Sequence, residues 1–260
     1  MTELADATLA AVGIDAVALK PAEVDLTRAL ALDVDIVTID YEGREHLPSP
    51  QTLRSLAAAF DVRVTVPVRA DGFDPLGDRS RWEALPDDVG EVVVAGHPAY
   101  LTHEERKRAV APRLERASRD ASNPWIGTEG VERLALAIGG TQFDLLSATT
   151  AREVYALRTA GFDGEIAVYA PTVLTADEKA VLDAVGPYAA RRGAVRDALP
   201  DNAPHDSDIT GEARETLLAA CHEYALVGDP KTVARRVSEL HEVGVDYVVG
   251  YPARGLDPVL

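Results

Sequence analysis

Two side chains stand where they could move a proton: Asp40, in TIDYEG, and His97, in VVVAGHP. Each directly follows an apolar run, so each is expected at the end of a buried strand, where a carboxyl or an imidazole near neutrality can act as acid or base. Glu42 is a second carboxyl beside Asp40. Gly127, Thr128 and Gly130 form a third group: the glycines allow close backbone approach, Thr128 supplies a hydroxyl, and a helix expected from Gly130 would offer free amides to a phosphate. Glu129 works against that site, because its carboxylate would repel a dianion.

Other residues narrow the chemistry. His46, His103, His205, His222 and His241 lack the spacing of a ligand set, and Cys221 is the single cysteine, so neither a metal site nor a disulfide is expected. Tyr41, Phe73, Tyr100 and Tyr251 could wall a flat ring. Arg69 and Arg254 could steer an anion; pairing with Asp71 and Asp257 is the preferred reading.

The elements that must position these residues alternate. Val, Ile and Leu gather in eight candidate strands: Ile14–Leu19, Val34–Ile39, Val62–Val68, Glu91–Ala95, Pro124–Ile126, Phe143–Leu146, Glu165–Tyr169 and Val245–Val249. Between them the spacing predicts helices over Glu23–Leu32, Gln51–Phe60, Thr102–Ser118, Gly130–Ile138, Ala151–Thr159, Ala176–Ala198 with Glu212–His222, and Lys231–Val243. Only the connection around Ser80–Leu85 lacks a helical pattern. The clearest unit is ALVGDPKTVARRVSELHEVGVDYVVGYP: a loop, a helix capped by Asp229 and started by Pro230, a stop at Gly244, and a buried strand.

Strict alternation over 260 residues predicts a (β/α)8 TIM barrel, with a doubly wound open sheet as the structural alternative. We read one domain, 1–260, with a long loop at about 199–210. In such a barrel the loops after the strands carry the chemistry. They hold Lys20, Asp40, Glu42, Arg69, Gly96, His97, Gly127, Thr128, Ser147, Thr172, Tyr251 and Arg254.

Composition excludes some partners. A formal net charge of −17 and 43 acidic residues argue against nucleic acid and against anionic membranes. The apolar runs are too short to span a bilayer, and the N-terminus does not read as a signal peptide, so a cytoplasmic protein is expected. Four lysines against 22 arginines, with that acidic excess, resemble proteins of salt-adapted archaea and point to a haloarchaeal source.

From about Asn123 onward the chain resembles the bacterial-luciferase-like oxidoreductases that use flavin or the deazaflavin coenzyme F420. NPWIGTEGVERLALAIGGTQFDLLSAT is similar to that family's fifth strand, helix and sixth strand, GEIAVYAPTVLTADE to its seventh strand, and ALVGDP to VVGYP to its ending. The resemblance implies coenzyme F420 or FMN as cofactor, held by Gly96, Gly127, Thr128, Gly130 and Ser147, with the phosphate at 127–130. It implies hydride exchange with a small organic substrate near Asp40 and His97, and it leaves a homodimer open. In the N-terminal half, Tyr41 stands where the family carries His, and the half is shorter than in typical members. A non-catalytic barrel acting as a binding or assembly subunit therefore remains the alternative.

Overall fold

The computed structural model describes residues 8–260. Nine strands form one all-parallel sheet: β1 (Ala16–Leu19), β2 (Ile36–Ile39), β3 (Asp61–Pro67), β4 (Gly90–Val94), β5 (Trp125–Gly127), β6 (Thr141–Leu145), β7 (Ile166–Val173), β8 (Leu226–Val227) and β9 (Tyr247–Pro252). Neighbours pair in order from β1 to β7. β9 then pairs with both β7 and β1, which closes an eight-stranded barrel. The short β8 stands outside the ring, on the end of β7 at Thr172–Val173. The closed (β/α)8 barrel is thus the fold, and the open-sheet alternative is excluded by the β9–β1 pairing.

Strand alternation sorts the core. Val17, Leu19, Val37, Ile39, Val62, Val64, Val168 and Val248 face outward into the largest apolar cluster, which the helices cover. Ala16, Ala18, Val92, Trp125, Phe143, Ala167, Tyr169, Val249 and Tyr251 face inward and fill the barrel. The interior is lopsided: β1 contributes only methyl groups, and the aromatic rings of β5, β6, β7 and β9 take up the volume.

The helices are α1 (Pro50–Ala57), α2 (His103–Arg106), α3 (Val110–Asp120), α4 (Glu132–Ile138), α5 (Thr150–Thr159), α6 (Glu178–Ala189), α7 (Gly193–Ala198), α8 (Gly211–Tyr224) and α9 (Pro230–Glu242). Three expected helices are corrected. Residues 23–32 hold only a 3-10 helix, Leu26–Ala31, capped by Asp25. The helix expected over Thr102–Ser118 divides into α2 and α3, because in a continuous helix Pro112 would strike the carbonyl of Arg108; in α3 it falls in the first turn, where proline is tolerated. Ala176–Ala198 divides into α6 and α7, with Pro187 in the last turn of α6.

The β3–β4 connection has no helix. It is a run of turns held by buried Phe73 and Trp82 and by Asp74, whose carboxylate meets Arg113 Nε at 2.9 Å.

Candidate functional site

The site is assembled by strand phase. On β2, Val37 and Ile39 face out, so Thr38 and Asp40 face in; on β1 the inward Ala16 and Ala18 are followed by Lys20 at the mouth. Tyr169 of β7 and Tyr251 of β9 turn inward at the same end, with rings stacked at 6.2 Å. The Tyr169 hydroxyl donates to Asp40 Oδ2 at 3.3 Å, long for such a bond. Glu23 accepts from the Tyr251 hydroxyl and lies 3.5 Å from Lys20 Nζ, which itself sits 4.0 Å from the centroid of the Tyr251 ring. Glu42 accepts the Ala22 amide at 2.9 Å and fixes the two loops against each other.

This packing changes the acidities. Burial raises the Asp40 carboxyl from 3.8 to about 7; Lys20 opposes the rise, Glu42 and Glu23 add to it, and the bond from Tyr169 opposes it. Tyr169 is pushed well above its ordinary value by burial and then by Asp40. Tyr188, reaching in from α6, is pushed up to about 12, chiefly by burial. A carboxyl that exchanges its proton near neutrality, flanked by phenols that stay protonated, can work as a general acid or base.

The other residues singled out from sequence lie at the same end of the parallel strands, with different roles. His97 is exposed, caps a 3-10 turn by accepting the Ala99 amide at 3.2 Å, and rests 5.9 Å from the Tyr100 ring. Gly96 takes φ +91°, and its carbonyl binds Arg69. A Cβ on Gly127 would come 2.7 Å from Val94 Cγ1, so this glycine serves packing inside the barrel, and a bulky residue there would disturb the fold before it touched a ligand.

The Thr128 hydroxyl donates to Asp144 at 2.6 Å, and the Gly130 amide is taken by Glu132 at 3.0 Å. Ser147 is bound to Thr149 and Thr150 at the start of α5. α4 begins at Glu132, later than expected, and is only seven residues long. With Glu129, Glu132 and Asp144 gathered there and each of these polar groups engaged within the chain, the 127–130 segment does not fit a phosphate.

Two expected ion pairs are corrected. Arg69 binds the carbonyls of Ala95, Gly96 and Arg106, while Asp71 pairs with Arg108 at 2.6 Å. Asp257 pairs with Arg28, not with Arg254. Of the four aromatics, Tyr251 lines the mouth and Tyr100 is exposed at its edge, whereas Tyr41 and Phe73 pack edge to face at 5.7 Å within an outer cluster. Among the described residues no group of three or more His, Cys, Asp or Glu could hold a metal ion, and no helix is long and apolar enough to cross a membrane.

Two open clefts flank the barrel. One, about 370 Å³, lies at the rim between the loops after β2 and β4, bounded by Arg44, Tyr100, Thr102 and Glu105. The other, about 480 Å³, lies at the opposite end around Arg63, Arg79 and Trp82. Asp40 lines neither.

The sequence model of a family of unknown function, DUF7388, matches residues 9–259. The chain belongs to this family. Among solved structures, this DUF7388 chain is similar to the coenzyme F420 dependent tetrahydromethanopterin reductase from Methanopyrus kandleri, with a TM-score of 0.64, 12% identity and 95% of each chain covered. It also matches the monooxygenase RslO1 from Streptomyces bottropensis, with a TM-score of 0.45, 16% identity, and 88% and 83% of the two chains covered. No curated protein matches. At these identities the first likeness shows the fold.

Sequence reasoning placed Asp40, Lys20 and Tyr251 on the rim of this DUF7388 barrel but missed Tyr169, Glu23 and Tyr188 as its partners. Tyr169 could have been found: it ends the apolar run IAVY, in phase with Ala167. Tyr188 could not, since its place over the mouth depends on how α6 docks.

Proposed function

We propose that this barrel is a luciferase-like oxidoreductase that takes a small organic substrate at its C-terminal mouth and moves a proton at Asp40. The observation that carries the reading is the Asp40 carboxyl, half-buried beside Tyr169 and raised to about 7, placed where barrel enzymes keep their chemistry. In this reading the ring stack of Tyr169 and Tyr251 floors the site, the phenols exclude water, and Asp40 gives or takes the proton that accompanies hydride transfer.

The hydride partner of this reading is coenzyme F420 or FMN, supported by the fold alone. Because 127–130 does not fit its phosphate, the coenzyme's tail would need another part of the rim. Titrating purified protein with coenzyme F420 and with FMN, and following coenzyme fluorescence, tests it. Micromolar binding of either supports the oxidoreductase.

A second reading is favoured by the loops after β5 and β6, whose polar groups bond within the chain: a barrel that kept the fold and serves as a binding or assembly subunit. Failure of both coenzymes to bind at micromolar protein moves the conclusion to it.

A further inference from the structure

Lys20 and Asp40 stand side by side at the mouth. β1 and β2 pair in parallel with Leu19 opposite Ile39, and the Asp40 amide donates to the Leu19 carbonyl at 2.9 Å, so Lys20 and Asp40 are the next pair in register, on strands about 4.8 Å apart. Both continue the inward phase of their strands, after Ala18 and Thr38. An ammonium and a carboxylate placed in this way ordinarily form an ion pair. Here the ammonium goes elsewhere: Lys20 Nζ lies 4.0 Å from the centroid of the Tyr251 ring and 3.5 Å from Glu23, which accepts from the Tyr251 hydroxyl. The Asp40 carboxyl takes the long bond from Tyr169 instead.

That is the arrangement a protonated Asp40 would leave. A neutral carboxyl offers an ammonium little, while the quadrupole of Tyr251 and the charge of Glu23 both attract it. Ionisation reverses the order: Glu23 is exposed and water screens its pull, whereas a half-buried carboxylate next in register to Lys20 attracts it more strongly. Of the charges acting on Asp40, Lys20 favours ionisation and Glu23 and Glu42 oppose it. The phenols of Tyr100, Tyr169, Tyr188 and Tyr251 are all pushed up by burial and stay neutral. Farther out, Arg191 acts on Tyr100, Arg192 stacks 4.5 Å from the Tyr188 ring centroid, and exposed His97 rests against Tyr100.

We propose that Lys20 is a proton-gated plug: it covers the Tyr251 ring while Asp40 holds its proton, and swings onto Asp40 when that proton leaves for solvent, baring the ring to the mouth. The inference rests on the mouth and its Asp40 carboxyl from the reading above, and it adds their regulation, since the group that moves the proton then also sets whether the aromatic floor is covered. Lysine suits this role, because its ammonium is a compact charge on a flexible four-carbon stem that reaches either place by rotation about its own bonds.

NMR pH titration of the intact protein tests this. The chain has four lysines, so the Lys20 side-chain resonances are assigned by their loss in Lys20→Met. Protons held over a ring face are shifted upfield. The Lys20 ε-protons should therefore lie upfield below about pH 6 and move back above about pH 8, with the midpoint of the Asp40 carboxyl carbon. In Asp40→Asn, which keeps an acceptor but cannot ionise, they should stay upfield throughout. Lys20→Met should raise the Asp40 midpoint by about one unit, and Lys20→Arg should bring most of it back.

Lys20 protons that stay still through the Asp40 titration, or move equally in Asp40→Asn, overturn the proposal, as does an Asp40 midpoint unchanged in Lys20→Met. No coenzyme enters these measurements. A moving Lys20 in a protein that binds neither coenzyme overturns the oxidoreductase and leaves the plug standing; a still Lys20 in a protein that binds one does the reverse.

Discussion

Asp40 is held against its own preference. In the unfolded chain a carboxyl ionises near 3.8; in the barrel it does so near 7, chiefly because burial penalises the charge. Between those values the folded state keeps a proton that the unfolded state has lost, so stability falls as pH rises through this window and levels off above it. Asparagine keeps the acceptor for Tyr169 and carries no charge. Asp40→Asn should therefore stabilise the fold by about 2 kcal/mol near pH 8, a gain that should vanish below about pH 4. Urea denaturation at the two pH values checks it, and equal effects at both would show that Asp40 is not strained by burial. A residue whose removal stabilises the protein is typical of a site kept for function.

At the scale of elements, close approaches decide where substitutions are tolerated. Gly186 lies inside α6, where a Cβ would meet the carbonyl oxygen of His205 at 2.2 Å and Leu217 Cδ2 at 3.3 Å. Alanine gains about 1 kcal/mol in helix propensity. The clash with backbone, which cannot rotate away as a side chain can, outweighs that gain, as overpacking costs about 1–3 kcal/mol or more. Gly186→Ala should thus lower stability by about 1–2 kcal/mol. Gly193→Ala in α7, where the nearest atom is the Arg196 Nη2 at 3.9 Å, should be neutral or stabilising. Urea midpoints of the two variants separate the effects; equal shifts would show that the 199–210 segment does not press on α6.

For the whole molecule the governing quantity is charge. Forty-three acidic residues against 26 basic ones leave a net −17. Many of the ion pairs are exposed, such as Lys107 with Glu104 at 2.8 Å, and pairs of this kind are worth about 0–1 kcal/mol. Screening them loses little, whereas screening the unpaired carboxylates relieves repulsion, with a Debye length of about 10 Å at 0.1 M salt. The thermal midpoint should rise as potassium chloride is added. A flat or falling midpoint from low to molar salt would show that ion pairing outweighs repulsion and would remove the case for salt adaptation.

What the sequence alone determined was local. α9 and β9 were legible because the signals lie within a few residues: Asp229 accepts the Thr232 amide at 2.9 Å, Pro230 opens the helix, and Gly244 takes φ +108° at its end. The barrel strands were legible because burial on both faces leaves unbroken apolar runs, and Asp40 was placed at the rim by the end of one of them. The site's partnerships were not. Tyr169 is 129 residues from Asp40 and Tyr251 is 228 from Glu23, and they meet only because β9 closes the ring between β7 and β1. The pairing of β5 with β4 and β6 likewise engages Thr128 with Asp144 and sets Gly127 against Val94, so a segment that reads as a phosphate loop becomes packing. Hydrogen bonds and desolvation act over a few ångströms of space, and only the tertiary structure decides which residues those few ångströms contain.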